Sequence, residues 1–147
     1  MKIKLLLLLC VVLLSGSTAL AGRRIDPSAL PQKAQTFLNT HFNGIDVIKA
    51  EQDKDLFGTD YEVDLSNGAE VEFDGNGEWT QVKMRKRETV PSAIIPTAII
   101  NYVNKNFKGL GIRKIEKERH LYEIELTNGV EYHISGDAKT VHRHYDD

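Results

Sequence analysis

The chain has 147 residues, of which 41% are hydrophobic and 27% are charged, and its formal net charge is −2. This composition excludes collagen-like, mucin-like and wholly disordered proteins. The 21 acidic residues outnumber the 19 basic ones, which argues against a nucleic-acid partner because phosphate binding needs an excess of Lys and Arg. The only cysteine is Cys10, inside the N-terminal apolar segment. The rest of the chain therefore has no disulfide, thiol nucleophile or cysteine metal ligand.

Residues 1–21 have the layout of a secretory signal peptide. Lys2 and Lys4 precede an unbroken apolar run from Leu5 to Leu14, and Ala19-Leu20-Ala21 supplies small residues at the cleavage positions. The run is too short to span a bilayer as a helix. The order of charged, apolar and small residues favours a signal over the alternative, a buried helix at the start of the domain. We therefore expect a periplasmic or secreted protein with no membrane span after the signal is removed.

The segment from about Leu30 to Val82 predicts one helix followed by four antiparallel strands. Pro31 suits the first turn of the helix, apolar residues recur after it at helical spacing, and Asn43-Gly44 ends it. Apolar and polar residues then alternate with period two, which is typical of strands with one buried side and one water-facing side. The predicted strands are 45–52, 61–65, 69–73 and 79–87.

The segment from about Ile95 to Val141 repeats this pattern. Its residues 122–129, Tyr-Glu-Ile-Glu-Leu-Thr-Asn-Gly, match residues 61–68, Tyr-Glu-Val-Asp-Leu-Ser-Asn-Gly. A repeated supersecondary unit explains so many like positions, and the Asn-Gly pairs predict two-residue hairpin turns. We therefore predict an α+β protein of two tandem repeats, each a helix followed by a four-stranded antiparallel meander. The predicted division is a signal peptide at 1–21, a first repeat at 22–85, a linker at 86–94 and a second repeat at 95–147.

The two repeats resemble the secreted PepSY-like proteins of Bacteroidetes, a family described as beta-lactamase-inhibitor-like. The most specific motif is Phe-Asp-x-x-Gly-x-Trp, formed here by Phe73, Asp74, Gly77 and Trp79. The second repeat departs from it at all four places, with Ile134, Ser135, Ala138 and Thr140. A role of the tryptophan can therefore apply only to the first repeat. The resemblance implies a continuous curved sheet with both helices on one side, and a binding role that includes enzyme inhibition.

The water-facing side of the sheet is the first candidate site. With a two-residue turn at Gly75-Asn76, Glu72 would lie opposite Trp79 and Glu70 opposite Gln81. We therefore predict a partner-binding surface formed by Trp79, Glu70, Glu72, Gln81 and Lys83. An exposed indole would anchor a protein partner from the envelope or the secreted fraction, because aromatic residues dominate binding hot spots. The alternative is that Trp79 only covers the sheet or packs at the junction of the repeats.

The histidines near the C-terminus are the second candidate site. His142 and His144 alternate, so both side chains project from the same side of the last strand. A turn at Gly136-Asp137 would place His142 opposite Glu131 and His133 opposite Thr140. Imidazole and carboxylate groups suit zinc or copper, and the predicted metal ligands are His133, His142, His144 and Glu131. The alternative is a solvated polar surface near the end of the chain, with no cofactor.

Recognisable catalytic motifs are absent from the sequence, which has no Gly-x-Ser-x-Gly elbow, His-Glu-x-x-His motif, phosphate loop or dinucleotide fingerprint. We therefore predict a non-enzymatic binding protein of the cell envelope. It would recognise a protein partner through the open sheet face, and it would act as an inhibitor if that partner is an enzyme. Metal or small-ligand binding is the alternative, and a purely structural role would instead show self-association through an edge strand.

Overall fold

The computed structural model describes residues 22–144. The predicted signal peptide at 1–21 and the last three residues lie outside the described residues. Within them, the chain forms two helices and nine strands. In chain order these are β1 (Arg23–Arg24), α1 (Gln32–His41), β2 (Val47–Lys54), β3 (Thr59–Leu65), β4 (Glu70–Asp74), β5 (Trp79–Lys83), α2 (Thr97–Asn106), β6 (Ile112–Lys117), β7 (Tyr122–Leu126), β8 (Glu131–Ile134) and β9 (Val141–Arg143).

Each helix begins directly after a proline and is followed by a glycine-containing turn. Pro31 is the N-cap residue of α1 and Pro96 is that of α2, one position earlier than the first-turn placement that we predicted. Proline lacks an N–H group, so at this place it costs the helix no intrahelical hydrogen bond. Beyond the C-terminal ends, Gly44 and Gly109 have φ angles of 76° and 80°, which glycine adopts without steric cost.

All nine strands form one antiparallel sheet in which each strand pairs with its neighbours in the chain, from β1 to β9. The prediction of an α+β protein with an antiparallel sheet is confirmed. The sheet runs without interruption from the first repeat into the second, because β5 pairs with β6 and Val82 lies opposite Ile115. Strand β1, where Arg23 pairs with Gln52, was not predicted, because two consecutive arginines carry no alternating pattern. The predicted domain boundaries stay a prediction.

One apolar core lies between the helices and the sheet. Ala34 and Leu38 of α1 belong to the same cluster of buried residues as Ile99 and Val103 of α2. The cluster also takes the alternate residues of the strands, such as the fully buried Val63. Both helices therefore pack against the same face of the sheet. The opposite face carries the polar members of the alternating pattern, and we call it the open face.

The loops after β3 and β7 have three residues, so the predicted two-residue turns at Asn67-Gly68 and Asn128-Gly129 were wrong. The N–H group of Leu65 donates to the carbonyl of Ala69, and that of Gly68 donates to the carbonyl of Leu65. Gly68 has a φ of 82°, as expected for a turn closed by a glycine bulge. An odd number of loop residues keeps Leu65 and Ala69 on the same face, where both are buried. A two-residue turn would have placed them on opposite faces.

Candidate functional site

A row of acidic side chains crosses the open face from strand to strand. Each member lies directly opposite the next in the pairing of the strands, and most members are glutamates. We call this the acidic row; in order across the sheet it contains Glu51, Glu62, Glu72, Gln81, Glu116, Glu123, His133 and His142. Like charges directly opposite each other destabilise a sheet, so the row needs either internal counter-charges or an external cation.

Lysines beside the acidic row neutralise its two halves. The ammonium group of Lys49 lies 3.0 Å from Oε2 of Glu51 and 4.0 Å from Oε1 of Glu62. In the second repeat, Nζ of Lys114 lies 2.8 Å from Oε1 of Glu123 and 3.2 Å from Oε2 of Glu116. These contacts account for the glutamates on both sides of the centre.

Glu72, in the first repeat near the middle of the row, has no such counter-charge. Its Oε1 accepts a hydrogen bond of 2.9 Å from the amide of Gln81, and no salt bridge to it occurs among residues 22–144. Burial raises the pKa of Glu72 above its usual value, and the charges of Glu116 and Glu62 raise it further, against the opposing effect of Lys114. The centre of the open face therefore carries negative charge that no salt bridge among residues 22–144 balances.

An acidic cavity of about 480 Å³ extends from Glu72 towards the edge of the first repeat. Three aspartates and two glutamates line it, together with Lys54 and Tyr61. The acidic members are Asp53, Asp55, Asp60, Glu62 and Glu72. The charge of this cavity suits a cationic ligand rather than an anionic one.

Two large apolar side chains project from the loop beside this cavity. Leu56 is 98% exposed and Phe57 is 96% exposed. Asp55 builds the loop, because its carboxylate accepts hydrogen bonds from the N–H groups of Phe57 (2.7 Å) and Gly58 (2.9 Å). Leu56 and Phe57 were not among the predicted site residues. The available signal was two large apolar residues between Asp55 and Gly58, at a place where a turn normally carries polar residues.

Four of the five residues predicted to bind a partner lie on the open face, and Trp79 does not. The predicted position of the indole was therefore wrong. Glu72 lies opposite Gln81 and Glu70 lies opposite Lys83, while Trp79 lies opposite Phe73. The register changes between Glu72 and Phe73, which leaves Thr80 as the extra residue of a bulge. The loop between β4 and β5 has three residues instead of the predicted two at Gly75-Asn76, because the N–H group of Asp74 donates to the carbonyl of Glu78. This loop places the indole on the helix side, and the bulge keeps Gln81 and Lys83 on the open face.

On the helix side, Trp79 packs against the core. Its ring centroid lies 6.3 Å from that of Phe37 in α1, and the Phe37 ring also meets Phe73 edge-on at 5.6 Å. The ammonium group of Lys117 lies 4.0 Å from the centre of the Trp79 ring, a cation–π contact. The position of Trp79 matches the alternative that it covers the sheet.

The predicted pairing of the histidines was also wrong. His133 lies opposite His142 rather than Thr140, and the N–H group of His144 donates to the carbonyl of Glu131. The reason is the loop between β8 and β9, which has four residues because the N–H of Ser135 donates to the carbonyl of Thr140. The predicted two-residue turn at Gly136-Asp137 would have shifted the last strand by two positions.

Two of the predicted metal ligands nevertheless meet. Nε2 of His133 lies 2.9 Å from Nδ1 of His144 and 3.9 Å from Oε2 of Glu123, while its Nδ1 lies 3.2 Å from Oε2 of Glu118. Glu118 and Glu123, instead of the predicted Glu131 and His142, share a cluster of potential ligand atoms with His133. Glu118, Glu123 and His133 can each direct one ligand atom to a common point, with those atoms within 4.8 Å of one another.

The charge state of Glu123 fits this arrangement. Burial opposes its ionisation, but the hydrogen bond and charge of Lys114, followed by the charges of His133 and His144, lower the pKa of Glu123 below its usual value. Glu118 and Glu123 could have been found from the sequence only by aligning β6, β7 and β8 side by side, because all three strands contribute to the cluster.

The residues match a known family along most of the chain. A family model described as "Putative beta-lactamase-inhibitor-like, PepSY-like" matches residues 18–70 and 59–141. No curated protein matches the chain. Among residues 22–144, neither helix is long and apolar enough to cross a bilayer.

Three crystal structures from Bacteroides resemble the chain closely. A "putative periplasmic protein" from Bacteroides vulgatus is 37% identical, has a TM-score of 0.79, and the match covers 86% of this chain and 99% of that one. A "putative calcium-regulated periplasmic protein" from Bacteroides thetaiotaomicron is 35% identical with a TM-score of 0.77, covering 84% and 96%. A second Bacteroides vulgatus "putative periplasmic protein of unknown function" is 36% identical with a TM-score of 0.74, covering 80% and 94%.

The location of these relatives confirms the prediction that the chain is a periplasmic or secreted protein. The extent of the family match and the identity to solved members lead to the same assignment as the repeated strand-turn motif: the chain belongs to the PepSY-like, beta-lactamase-inhibitor-like family.

Proposed function

We propose that the protein is a non-enzymatic binding protein of the cell envelope, which recognises a basic surface of a protein partner through its open face. The observation that carries this proposal is the acidic row, whose central Glu72 has no cationic counter-charge within the described chain. A basic partner would supply that charge, because complementary potentials steer and orient protein association.

The surface also contains residues suited to anchor the partner. Glu70, Gln81 and Lys83 lie beside or within the acidic row and contribute hydrogen-bonding groups. Leu56 and Phe57 stand at the edge of the acidic cavity and would become buried on binding, which gives the apolar contact that a charged surface alone lacks. Trp79 supports the sheet from the other side and is left out of the proposed contact surface.

Inhibition is one form that this binding can take. The family description is inhibitor-like, and an inhibitor needs no catalytic group of its own, only a preformed surface. The alternating carboxylates of the open face are held by strand pairing rather than by loops, so the surface is rigid before the partner arrives.

Site-specific photo-cross-linking in the periplasm tests the proposal. A photoreactive amino acid replaces Phe57 or Gln81 on the proposed surface, and Lys105 on α2 serves as the matched exposed position on the helix side. We expect one partner to be captured from both open-face positions and not from position 105. Capture from position 105 alone would place recognition on the helices and overturn the proposal.

Binding of the captured partner is then measured with purified proteins. Glu62→Gln combined with Glu72→Gln removes two charges from the row without changing shape, and we expect affinity to fall about 10-fold or more and the salt dependence to weaken. Glu88→Gln, an exposed change outside the row, is the control and should bind like the wild type. Leu56→Ser with Phe57→Ser should accelerate dissociation.

A further inference from the structure

We infer that the second repeat carries a binding site for a divalent first-row metal ion of the zinc class, formed by His133, His144 and Glu123 and oriented by Glu118. This inference concerns a different ligand from the proposed partner recognition. It rests on the second-repeat end of the acidic row, whereas the proposed recognition rests on Glu72 in the first repeat. Two imidazole nitrogens and one carboxylate oxygen are the donor set of zinc sites that keep one position open for water.

Two of the donor contacts are close to the spacing that zinc needs. Nε2 of His133 is 2.9 Å from Nδ1 of His144 and 3.9 Å from Oε2 of Glu123. Ligand atoms around a tetrahedral zinc ion are separated by about 3.3 Å, given zinc–nitrogen distances near 2.0 Å. The two observed separations lie on either side of that value, so shifts of roughly half an ångström would bring Nε2 of His133 to zinc spacing from both partners.

Glu118 fixes the orientation of the His133 imidazole through the ring nitrogen that does not face the proposed ion. Nδ1 of His133 lies 3.2 Å from Oε2 of Glu118, which leaves Nε2 directed at the proposed ion. Metal-binding histidines usually donate their second ring N–H to a carboxylate in this manner, because the contact selects the tautomer and raises the basicity of the ligand. Lys114 binds Oε1 of Glu123 at 2.8 Å and so leaves Oε2 available.

Comparison of the two repeats shows that the histidines replace other groups in a common framework. In the first repeat Glu72 lies opposite Gln81, and Glu70 lies opposite Lys83. In the second repeat His133 lies opposite His142, and the backbone of Glu131 binds that of His144. His133 therefore occupies the place of Glu72, and His144 that of Lys83. A lysine at that place would repel a metal ion, so the site exists in the second repeat alone.

The chemistry of the donors favours zinc over calcium. Calcium takes six to eight oxygen ligands, whereas imidazole suits zinc, copper and nickel. The charge balance is also favourable, since the cluster and its neighbour Glu116 contribute three carboxylates against the single ammonium group of Lys114.

Titration of the purified, untagged protein with zinc chloride in a calorimeter tests the inference. We expect one zinc ion per chain and a zinc-dependent rise in melting temperature. His133→Gln and His144→Gln should each abolish both effects, and Glu118→Gln should weaken zinc binding by about 10- to 100-fold while leaving its stoichiometry unchanged. Calcium chloride should produce neither effect.

His41→Gln is the matched control, because His41 lies at the end of α1 and stacks on Phe37 on the helix side. It should bind zinc like the wild type. Circular dichroism checks that each variant is folded. If zinc binding survives both His133→Gln and His144→Gln, or if His41→Gln removes it, the binding is adventitious surface binding and the inference is overturned. The inference is also overturned if the wild type shows no saturable zinc binding.

Discussion

Trp79 stacks beside Phe37 on one side and under the ammonium group of Lys117 on the other. Burial lowers the pKa of Lys117, against the opposing charges of Glu78 and Asp74. The lysine stays next to the indole because the face of an aromatic ring is the negative part of its quadrupole. This contact joins α1, β5 and β6 at one point, so the side chain of Trp79 contributes to the fold rather than to the open face.

Trp79→Ala should therefore reduce the free energy of unfolding. We expect a loss of about 2–3 kcal/mol, below the range for a fully buried tryptophan because one part of the ring remains accessible. Urea denaturation followed by circular dichroism measures it. Phe57→Ala is the control: its ring is 96% exposed, and the variant should unfold within about 0.5 kcal/mol of the wild type. Equal stability of all three proteins would contradict the packing role.

Taken alone, Glu72 should contribute less to the free energy of unfolding at neutral pH, where it is ionised, than at acidic pH, where it is protonated. Its pKa is raised in the folded state by burial and by Glu116 and Glu62. The folded state then binds the proton more tightly than the unfolded state. The stability contributed by protonated Glu72 is present below the ordinary pKa of glutamate and is lost as the pH rises through the raised value.

Glu72→Gln should accordingly be as stable as the wild type at neutral pH or more stable, by up to about 0.5 kcal/mol. The difference between the two proteins should shrink as the pH falls below the ordinary pKa of glutamate. Urea denaturation at a series of pH values measures it, with Glu88→Gln as a control that shows no such trend. A clear loss of stability in Glu72→Gln would show that the carboxylate is favourably paired.

At the level of the strands and loops, two features of the structure require glycine at position 77. Its φ is 82°, and a Cβ atom there would lie 2.7 Å from Cβ of Pro31 and 3.0 Å from the backbone nitrogen of Ala34. The loop between β4 and β5 thus touches the start of α1. Gly129, in the three-residue loop between β7 and β8, has a φ of 87° but nothing within 4 Å of its Cβ position.

Alanine variants at Gly77 and Gly129 distinguish the energetic cost of backbone strain from that of steric contact. Gly129→Ala should cost about 1 kcal/mol, from the left-handed backbone alone. Gly77→Ala should cost about 2–4 kcal/mol, because the methyl group also displaces the first turn of α1. Thermal and urea denaturation measure both. If the two variants lose the same stability, the contact between this loop and α1 carries no energy.

The alternation of side chains was enough to predict which residues of β3 and β4 face water and that the sheet is antiparallel. Loop lengths were not predictable in the same way, since an Asn-Gly pair fits both a two-residue turn and the end of a three-residue loop. The loop after β4 was predicted with two residues and has three, so the position of Trp79 was missed. The bulge at Thr80, which keeps Gln81 on the open face, has no sequence marker of its own. The contact of His133 with Glu118 and Glu123 depends on these registers and could not be derived from spacing alone.

Across the whole molecule, the pairing of β5 with β6 joins the two repeats. Val82 and Ile115 face each other there and both are completely buried. The single apolar core continues past this seam into both helices. The two halves should therefore unfold together rather than one after the other.

Ile115→Ala tests this coupling. We expect a loss of about 3 kcal/mol, with the midpoints of Trp79 fluorescence and of the His133 NMR signal remaining equal to each other, as in the wild type. Trp79 reports on the first repeat and His133 on the second. Separate midpoints in the wild type would show that the repeats are independent units, and the seam would then be only a contact between them.

The order of the strands has a consequence for how the chain acquires its structure. Neighbours in the sheet are neighbours in the chain. When the polypeptide emerges with its N-terminus first, most strands can therefore pair with the preceding strand soon after they emerge. Most pairings then close short loops, whose entropic cost is small. The exceptions are the pairings of β1 with β2 and of β5 with β6, which must wait until α1 and α2 have passed. The second of these delays falls in the middle of sheet formation, so folding during export would pause there with a half-built sheet whose exposed edge is β5.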